Sequence, residues 1–515
     1  MRITTAAQAA QRDANAVGAG IDSWSLMLAA GNAAAAFVLD LVRPFEFRVV
    51  SVIAGPGNNG GDAYVVAAAL LNAGETVVLA ASGEPCTDDA KRAKARYEQA
   101  RVIHGPAPDV MATSETYQFF CVDGLLGTGQ HGALRASERQ YAEGISASQL
   151  HGTVVIALDV PTGLNATTGE IAEGAVRADH TLAFGTLKRA HVLQRAQCGS
   201  ITVLDIGLGE HADLDDGAWI LADVTMLAPR VPHLAWNVHK GTRGKLSLFG
   251  GASGMAGAIA LASNAALRSG VGMLHGHVQA ESLTALQIAA PQALAHDWHD
   301  SSPHDAVAIG PGLGRSVESR QVLDEVLSRV MPDIALLLDA DALTLIGTDT
   351  NRLRALSILR WVVCTPHVGE LARLLGVEVA DSLEGRIVQA AGFAKQSGTT
   401  VLLKGAPTVI VGSHGETPLI VARGNAALAT GGSGDMLTGI IGTLLAQGAK
   451  PLDAAAVGAW VHGRAAEIAV QRAGSIRGVT LTDVLHAMPA AWADLAGPRA
   501  SSNVVGELPA MPSSH

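Results

Sequence analysis

Four cysteines in 515 residues, Cys86, Cys121, Cys198 and Cys364, form no CxxC pair. That spacing favours buried thiols over a disulfide framework or a cysteine-built metal site. Cys121 and Cys364, inside strand-like runs, read as buried thiols of a protein kept in a reducing cytoplasm. Basic residues are also short: 36 Lys and Arg against 47 Asp and Glu give a net charge of −11. No basic stripe is left to displace counterions from nucleic acid. No apolar run reaches the roughly 20 residues that span a bilayer. The first twenty residues lack the apolar region of a signal peptide, and their spacing suits a surface helix. The expected partners are therefore small molecules and further copies of the chain in a homo-oligomer, with neither nucleic acid nor membrane among them.

Apolar residues (48%) and glycine (58 residues) are plentiful. The length calls for two domains. In the first half, β-branched runs at 48–54, 75–80, 118–122, 153–158, 181–184 and 201–204 are each followed by a Gly-rich turn or a helical stretch, such as 64–73 and 87–101. Continuous apolar strands alternating with helices specify a parallel sheet covered on both faces, with ligands beyond the carboxyl ends of the strands. After an acidic, proline-bearing region at 209–235 the theme repeats, with strands at 245–249, 306–309, 334–338, 361–364, 400–403 and 408–411 and closing helices at 435–447 and 453–472. The expected fold class is α/β with two domains. A Rossmann-like doubly wound sheet spans 1–220, an α/β/α sandwich spans 221–497, and 498–515, rich in Pro and Ser, is expected to be disordered.

The residues able to do chemistry follow the strands. GPGNNGGD (55–62) is either a tight strand-to-helix connection or a loop that lets a ligand reach the backbone. VDGLLGTGQHG (122–132) and DVPTG (159–163) each put a carboxylate at a strand tip. In the second half, KGAPT (404–408) precedes GGSGD (431–435) at the mouth of an apolar helix. Unpaired N–H groups and the helix dipole suit that turn to a phosphate, and an acid ending it is misplaced unless it handles a proton.

GPGNNGGD, VDGLLGTG, DVPTGLNATTGE and ADHTLAFGTLK together resemble the epimerase domain of the NAD(P)H-hydrate repair enzymes over residues 10–210. The resemblance implies interconversion of R and S hydrates of NADH and NADPH. It implies substrate contacts from Asn58, Asn59, Gly60, Gly61 and Asp62, and from Gly127, Thr128, Gly129, Gln130, His131, Gly132 and Ala133. Asp159 would be the acid/base with Lys188 nearby, although a lysine there could equally be a solvated surface residue. Asn59, Asp123 and Thr162 would hold potassium. Two departures stand out: Ala63 where the family usually has glycine, and Thr162 where serine is commoner.

Residues 424–448, with GPGLG, DADAL and KGAPT, resemble the ribokinase-like superfamily. His367-x-x-Glu370, in place of the Asn-x-x-Glu of small-molecule kinases, points within it to the dehydratase domain of the same repair enzymes, over 235–495. This implies that Ala258, Gly312, His367 and Asp435 contact the hydrated dinucleotide. Lys404, Gly405, Ala406, Pro407, Thr408 and Gly434 would bind ADP (or ATP), Glu370 would hold magnesium, and Asp435 would be the base. A vitamin or sugar kinase with an appended module, and a non-catalytic first domain, are the competing readings. Asp339 and Asp341 either orient magnesium or cap a helix. His296, His299 and His304, interleaved with Asp297, Asp300 and Asp305, read as a solvated loop. His275 and His277 read as buried or solvent-facing imidazoles rather than ligands.

Overall fold

The computed structural model describes residues 1–104, 117–496 and 504–508, and the chain divides into two compact units at Trp219/Ile220. The first unit is built on seven strands in the order Val504–Leu508, Ser200–Leu204, His180–Phe184, Val154–Leu158, Gln118–Gly124, Arg48–Ala54 and Val77–Ala81. All pairs are parallel except the first, where Val504–Leu508 runs antiparallel to Ser200–Leu204. The tail expected to be disordered thus contributes a strand; its remaining residues lie outside those described.

In the second unit, Leu294–Asp297, Met273–Val278, Lys245–Phe249, Ala306–Ile309, Ala335–Leu338, Val362–Cys364 and Thr400–Leu403 run parallel in that order. The antiparallel strands Thr408–Val411 and Leu419–Val421 extend the sheet. Helices Ala256–Arg268 and Ser433–Ala446 pack against each other over these strands, and a Cβ on Gly439 would lie 2.0 Å from the Ala262 carbonyl oxygen. That glycine lets the two backbones touch.

The helix Ser23–Val42 corrects one expectation, being long and apolar enough to cross a bilayer by length and composition. Its buried face (Trp24, Met27, Ala30, Ala34, Val38) instead packs on the helix Asn58–Asn72 in the core of the first unit. Gly31 makes that contact close, since a Cβ there would meet Val65 at 2.5 Å.

The Asn58–Asn72 helix begins six residues earlier than the expected 64–73, so NNGGD forms its first turn rather than a preceding loop. Ala63 is accommodated because it sits in helical backbone, and its methyl fills the space a Cβ on Gly124 would take (2.5 Å). Several glycines of this region serve packing between loops. A Cβ on Gly55 would lie 1.8 Å from the Leu125 carbonyl oxygen, and one on Gly60 the same distance from that of Gly55. The second unit repeats the device, with Gly250 against Pro311 (1.9 Å) and Gly310 against Asp339 (1.9 Å). Glycine at these strand ends lets neighbouring loops stack backbone on backbone.

Gly60→Ala should therefore destabilise the first unit by about 3 kcal/mol, because neither backbone can yield. Gly57→Ala, with extended backbone and nothing within 4 Å, should change it by less than about 0.5 kcal/mol. Urea unfolding of the two variants checks the contrast.

Candidate functional site

Asp159 follows the buried strand Val154–Leu158 and takes up φ +61°, a left-handed conformation that non-glycine residues seldom hold. Its carboxylate accepts hydrogen bonds from the Lys188 ammonium and, at 3.1 Å, from the Phe184 amide. Lys188 is only 2% exposed and also donates to the carbonyls of Phe184 (2.9 Å) and Thr186 (3.2 Å), so it is no solvated surface lysine. Asp62 faces the same region. Burial, then the charges of Asp159 and Asp13, hold its carboxyl well above the ordinary aspartate range. Asp13, much of whose side chain reaches solvent, is raised mainly by desolvation, partly offset by Lys188. One buried ammonium is thus shared among three carboxyls.

Asn59, Asp123 and Thr162 are brought together through Leu126. Asn59 Nδ2 donates to the Leu126 carbonyl (2.9 Å), the Leu126 amide donates to Thr162 Oγ1 (3.1 Å), and that hydroxyl donates to Asp123 (2.7 Å). Asp123 is fully buried and also accepts from the Thr162 and Leu125 amides. Burial raises its carboxyl, against those hydrogen bonds. Gln130, Gly132 and Ala133 join Gly163, Asn165 and Glu170 around a cavity of about 220 Å³. A Cβ on Gly127 would lie 3.2 Å from that of Asn59, and His131 lies 3.4 Å from Asn165. Asn58 accepts from Thr87 (2.7 Å), and Gly61 adjoins Met27, where a Cβ would lie 2.6 Å from its Cε. Thr128 and Gly129 lie on the same loop, between Gln118–Gly124 and Ala136–Leu150.

In the second unit Asp435 lies inside the first turn of the helix Ser433–Ala446, with Gly432 at φ +96° as its cap, rather than ending a preceding turn. There the dipole favours an anion, yet burial, then Asp339, raise the carboxyl to about 7 despite Lys404. Lys404 follows the strand Thr400–Leu403 and pairs with Asp339 at 2.7 Å and Glu370 at 3.6 Å. Burial works against its charge, but those two carboxylates outweigh it and raise its pKa. Thr438, one turn beyond Asp435, donates to the other Asp339 oxygen (2.7 Å). A Cβ on Gly434 would sit 3.3 Å from the Lys404 ammonium, so the lysine head lies under the helix N-terminus.

His367 and Glu370 form a capping box on the helix Val368–Leu375, the imidazole Nδ1 accepting from Gly369 (3.0 Å) and Glu370 accepting from the His367 amide (2.7 Å). Ala258 and Gly312 meet, with a Cβ on Gly312 3.0 Å from that of Ala258. Gly405 and Ala406 are exposed, Pro407 is buried, and Thr408 donates back to the Gly405 carbonyl (3.1 Å). Asp341 binds the Gly314 amide (3.0 Å) and Arg315 (2.8 Å), which ties it to the preceding loop, whereas Asp339 holds Lys404.

Sequence reasoning missed Asp339 as Lys404's partner, along with Thr438, Asp13 and His191. Only the last leaves a local trace, three residues after Lys188 in LKRAH. The histidine-rich segment departs from a solvated loop. His296 lies on the edge strand Leu294–Asp297, hydrogen-bonded to His275 (2.9 Å) and stacked on His277 (centroids 4.9 Å apart), which stacks on Phe249 at 4.1 Å. His299 is exposed and pairs with Glu325 (2.9 Å), and His304 bonds the Ser302 carbonyl (2.9 Å). Among the described residues no group of three or more His, Cys, Asp or Glu is arranged to hold a metal ion.

Each unit, then, is an α/β domain with a lysine–carboxylate centre at the carboxyl ends of parallel strands, the place where α/β enzymes bind their ligands. The family model described as NAD(P)H-hydrate dehydratase matches residues 246–490, and that described as YjeF-related protein N-terminus matches 23–190. The bifunctional NAD(P)H-hydrate repair enzyme Nnr of Escherichia coli is 35% identical over 91% of this chain and 89% of its own length. That of Coxiella burnetii is 33% identical over 91% and 95%. Among solved structures, the ADP/ATP-dependent NAD(P)H-hydrate dehydratase of Bacillus subtilis co-crystallised with ATP and Mg²⁺ covers 54% of this chain and 99% of its own, at 30% identity and TM-score 0.49. The chain belongs to the bifunctional NAD(P)H-hydrate repair enzymes, with an epimerase half and a dehydratase half.

Three buried imidazoles set an acid limit on stability. Desolvation lowers His277 to about 3, and His191 and His462 to about 4, from 6.5. Below pH 6.5 the unfolded chain takes up protons that these sites refuse. Their contribution is thus fully present above that value and is lost as pH falls toward the folded pKa, by up to about 1.4 kcal/mol per pH unit for each histidine. Unfolding of the second unit should show this slope, and His277→Phe, which stacks but cannot protonate, should flatten it.

Proposed function

We propose that the second unit dehydrates the S-hydrate of NADH or NADPH at the expense of ADP, with Asp435 as the base. The observation that carries this reading is a half-buried carboxyl, raised to about 7, on the first turn of a glycine-capped helix beside a buried lysine. Asp435 takes the proton of the C6 hydroxyl, and that oxygen attacks the terminal phosphoryl group of ADP, displacing AMP. Departure of phosphate from C6, pushed by the ring nitrogen, with loss of the C5 proton, restores the dihydronicotinamide. Lys404 and the N–H groups of Gly431–Gly434 steady charge on the phosphoryl oxygens. Lys404, Gly405, Ala406, Pro407, Thr408 and Gly434 hold the adenine nucleotide, and Ala258, Gly312 and His367 the hydrate. ATP would serve the same site. Glu370 fits a magnesium ion, as a buried carboxylate beside the phosphoryl site, since that ion takes one or two carboxylates and completes its shell with waters and phosphates. When bound it would neutralise phosphate charge.

In the first unit, Asp159 exchanges a proton at the C6 carbinol, and Lys188 keeps the carboxylate in place. Asn58–Asp62 and Gly127–Ala133 hold the hydrate. Asn59, Asp123 and Thr162 suit potassium, being an amide, a carboxylate and a hydroxyl around a fully buried Asp123 whose hydrogen bonds come from neutral groups. Four free cysteines fit the cytoplasm. The sheet side bearing exposed Val78 and Phe119 fits association with a second copy.

Asp435→Asn should lower dehydration by at least about 10³-fold with little loss of nucleotide affinity. Because a base works deprotonated, kcat/KM of dehydration should rise with pH across about 7. Asp339→Asn, removing a charge that raises Asp435, should move that limb to lower pH. A wild-type profile flat through neutrality would remove Asp435 from the role. Replacing potassium by a large organic cation should slow R-to-S conversion and spare dehydration of the S-hydrate. Asp159→Asn should abolish that conversion, and unchanged turnover would instead favour a binding module.

A further inference from the structure

His191 is completely buried in the short helix Arg189–Leu193, and its ring spans the two residues that carry the first unit's chemistry. Nδ1 lies 3.0 Å from the backbone amide of Lys188, which can only donate, so Nδ1 is the acceptor and the ring proton sits on Nε2. Nε2–H therefore donates to the backbone carbonyl of Asp159, at 2.8 Å. Asp159 is the residue held at φ +61°, and its carbonyl is fixed by a group 32 positions away in sequence. The same ring fixes the amide of the lysine whose ammonium meets the Asp159 carboxylate.

We propose that His191 is a positioning residue for epimerisation: as the neutral Nε2–H tautomer it clamps the Asp159 carbonyl to the Lys188 amide, and so holds carboxylate and ammonium in register. The inference rests on the reading of Asp159 and Lys188 given above. A left-handed aspartate costs about 1–3 kcal/mol and persists only where its surroundings fix it. The ion pair ties the side chains together; the imidazole ties the backbones. Without it, the strand tip can relax to an ordinary conformation and carry the carboxylate off the carbinol, and a misplacement of about 1 Å costs on the order of 10²-fold in rate. Desolvation lowers His191 to about 4, which keeps the required tautomer at neutral pH.

The test uses the full chain and the R-hydrate, with conversion read by chiral separation of the epimers against the spontaneous rate. Asp159→Asn measured beside the wild type decides first whether Asp159 carries the reaction; if that variant matches the wild type, the reading of Asp159 falls and this one with it, before His191 is tested. With an active wild type, His191→Ala should lower kcat about 30-fold and leave KM within about 2-fold, because substrate contacts are intact. His191→Gln places an amide N–H where Nε2 stands, whereas His191→Asn replaces only Nδ1. Gln should therefore retain several-fold more kcat than Asn. An unchanged kcat, a loss lying wholly in KM, or an Asn variant as active as Gln would overturn the proposal. If the alanine variant does not fold, the Gln and Asn pair decides alone.

Discussion

Both proposed sites depend on keeping a lysine charged inside an α/β domain. Lys188 and Lys404 both lie near the carboxyl ends of parallel strands, largely out of water, where an ammonium alone would lose its proton. Each is retained by a carboxylate at the tip of another strand, Asp159 in the first unit and Asp339 in the second. Those pairings draw in further acids, Asp62 and Asp13 around one, Glu370 and Asp435 around the other. Burial first, and then repulsion from the neighbouring acids, raises Asp62 and Asp435 against the pull of each lysine. In the proposed reading the same arrangement serves both reactions, one exchanging a proton at a carbinol and one also activating that carbinol toward phosphate.

Glycine abundance has a plainer cause than ligand binding at several positions. Gly55, Gly250 and Gly310 stand where a neighbouring loop's carbonyl occupies the place of a Cβ, and Gly60 where the Gly55 carbonyl does. Adjacent loops pressed together in this way present their remaining groups as one surface. In the proposed reading the nucleotide-facing role falls to fewer positions, such as Gly434 over the Lys404 ammonium.

Much of the sheet was legible in the sequence. Strands 245–249, 306–309, 400–403 and 408–411 have the expected limits because an apolar run bounded by turns leaves few choices. Helix starts were less legible: NNGGD and GGSGD contain poor helix formers, yet close packing and the helix dipole place parts of both in first turns. The structure brings Asp159 to Lys188, Asn59 and Thr162 to Asp123, and Lys404 to the first turn that carries Asp435. What could not be read was which acid meets Lys404. Asp339 and Lys404 are 65 positions apart, and their pairing depends on strand order, which spacing along the chain does not encode. His191 was hidden for the opposite reason, standing close to Lys188 in a run with no repeated pattern.

The strand Val504–Leu508 makes the first unit discontinuous, since it is laid beside Ser200–Leu204 only after the whole second unit has been synthesised. During translation the N-terminal sheet must wait with a bare rim, its amides and carbonyls open to pairing with any extended peptide nearby. Closure of the N-terminal sheet's rim is thereby tied to the synthesis of a segment some three hundred residues further along.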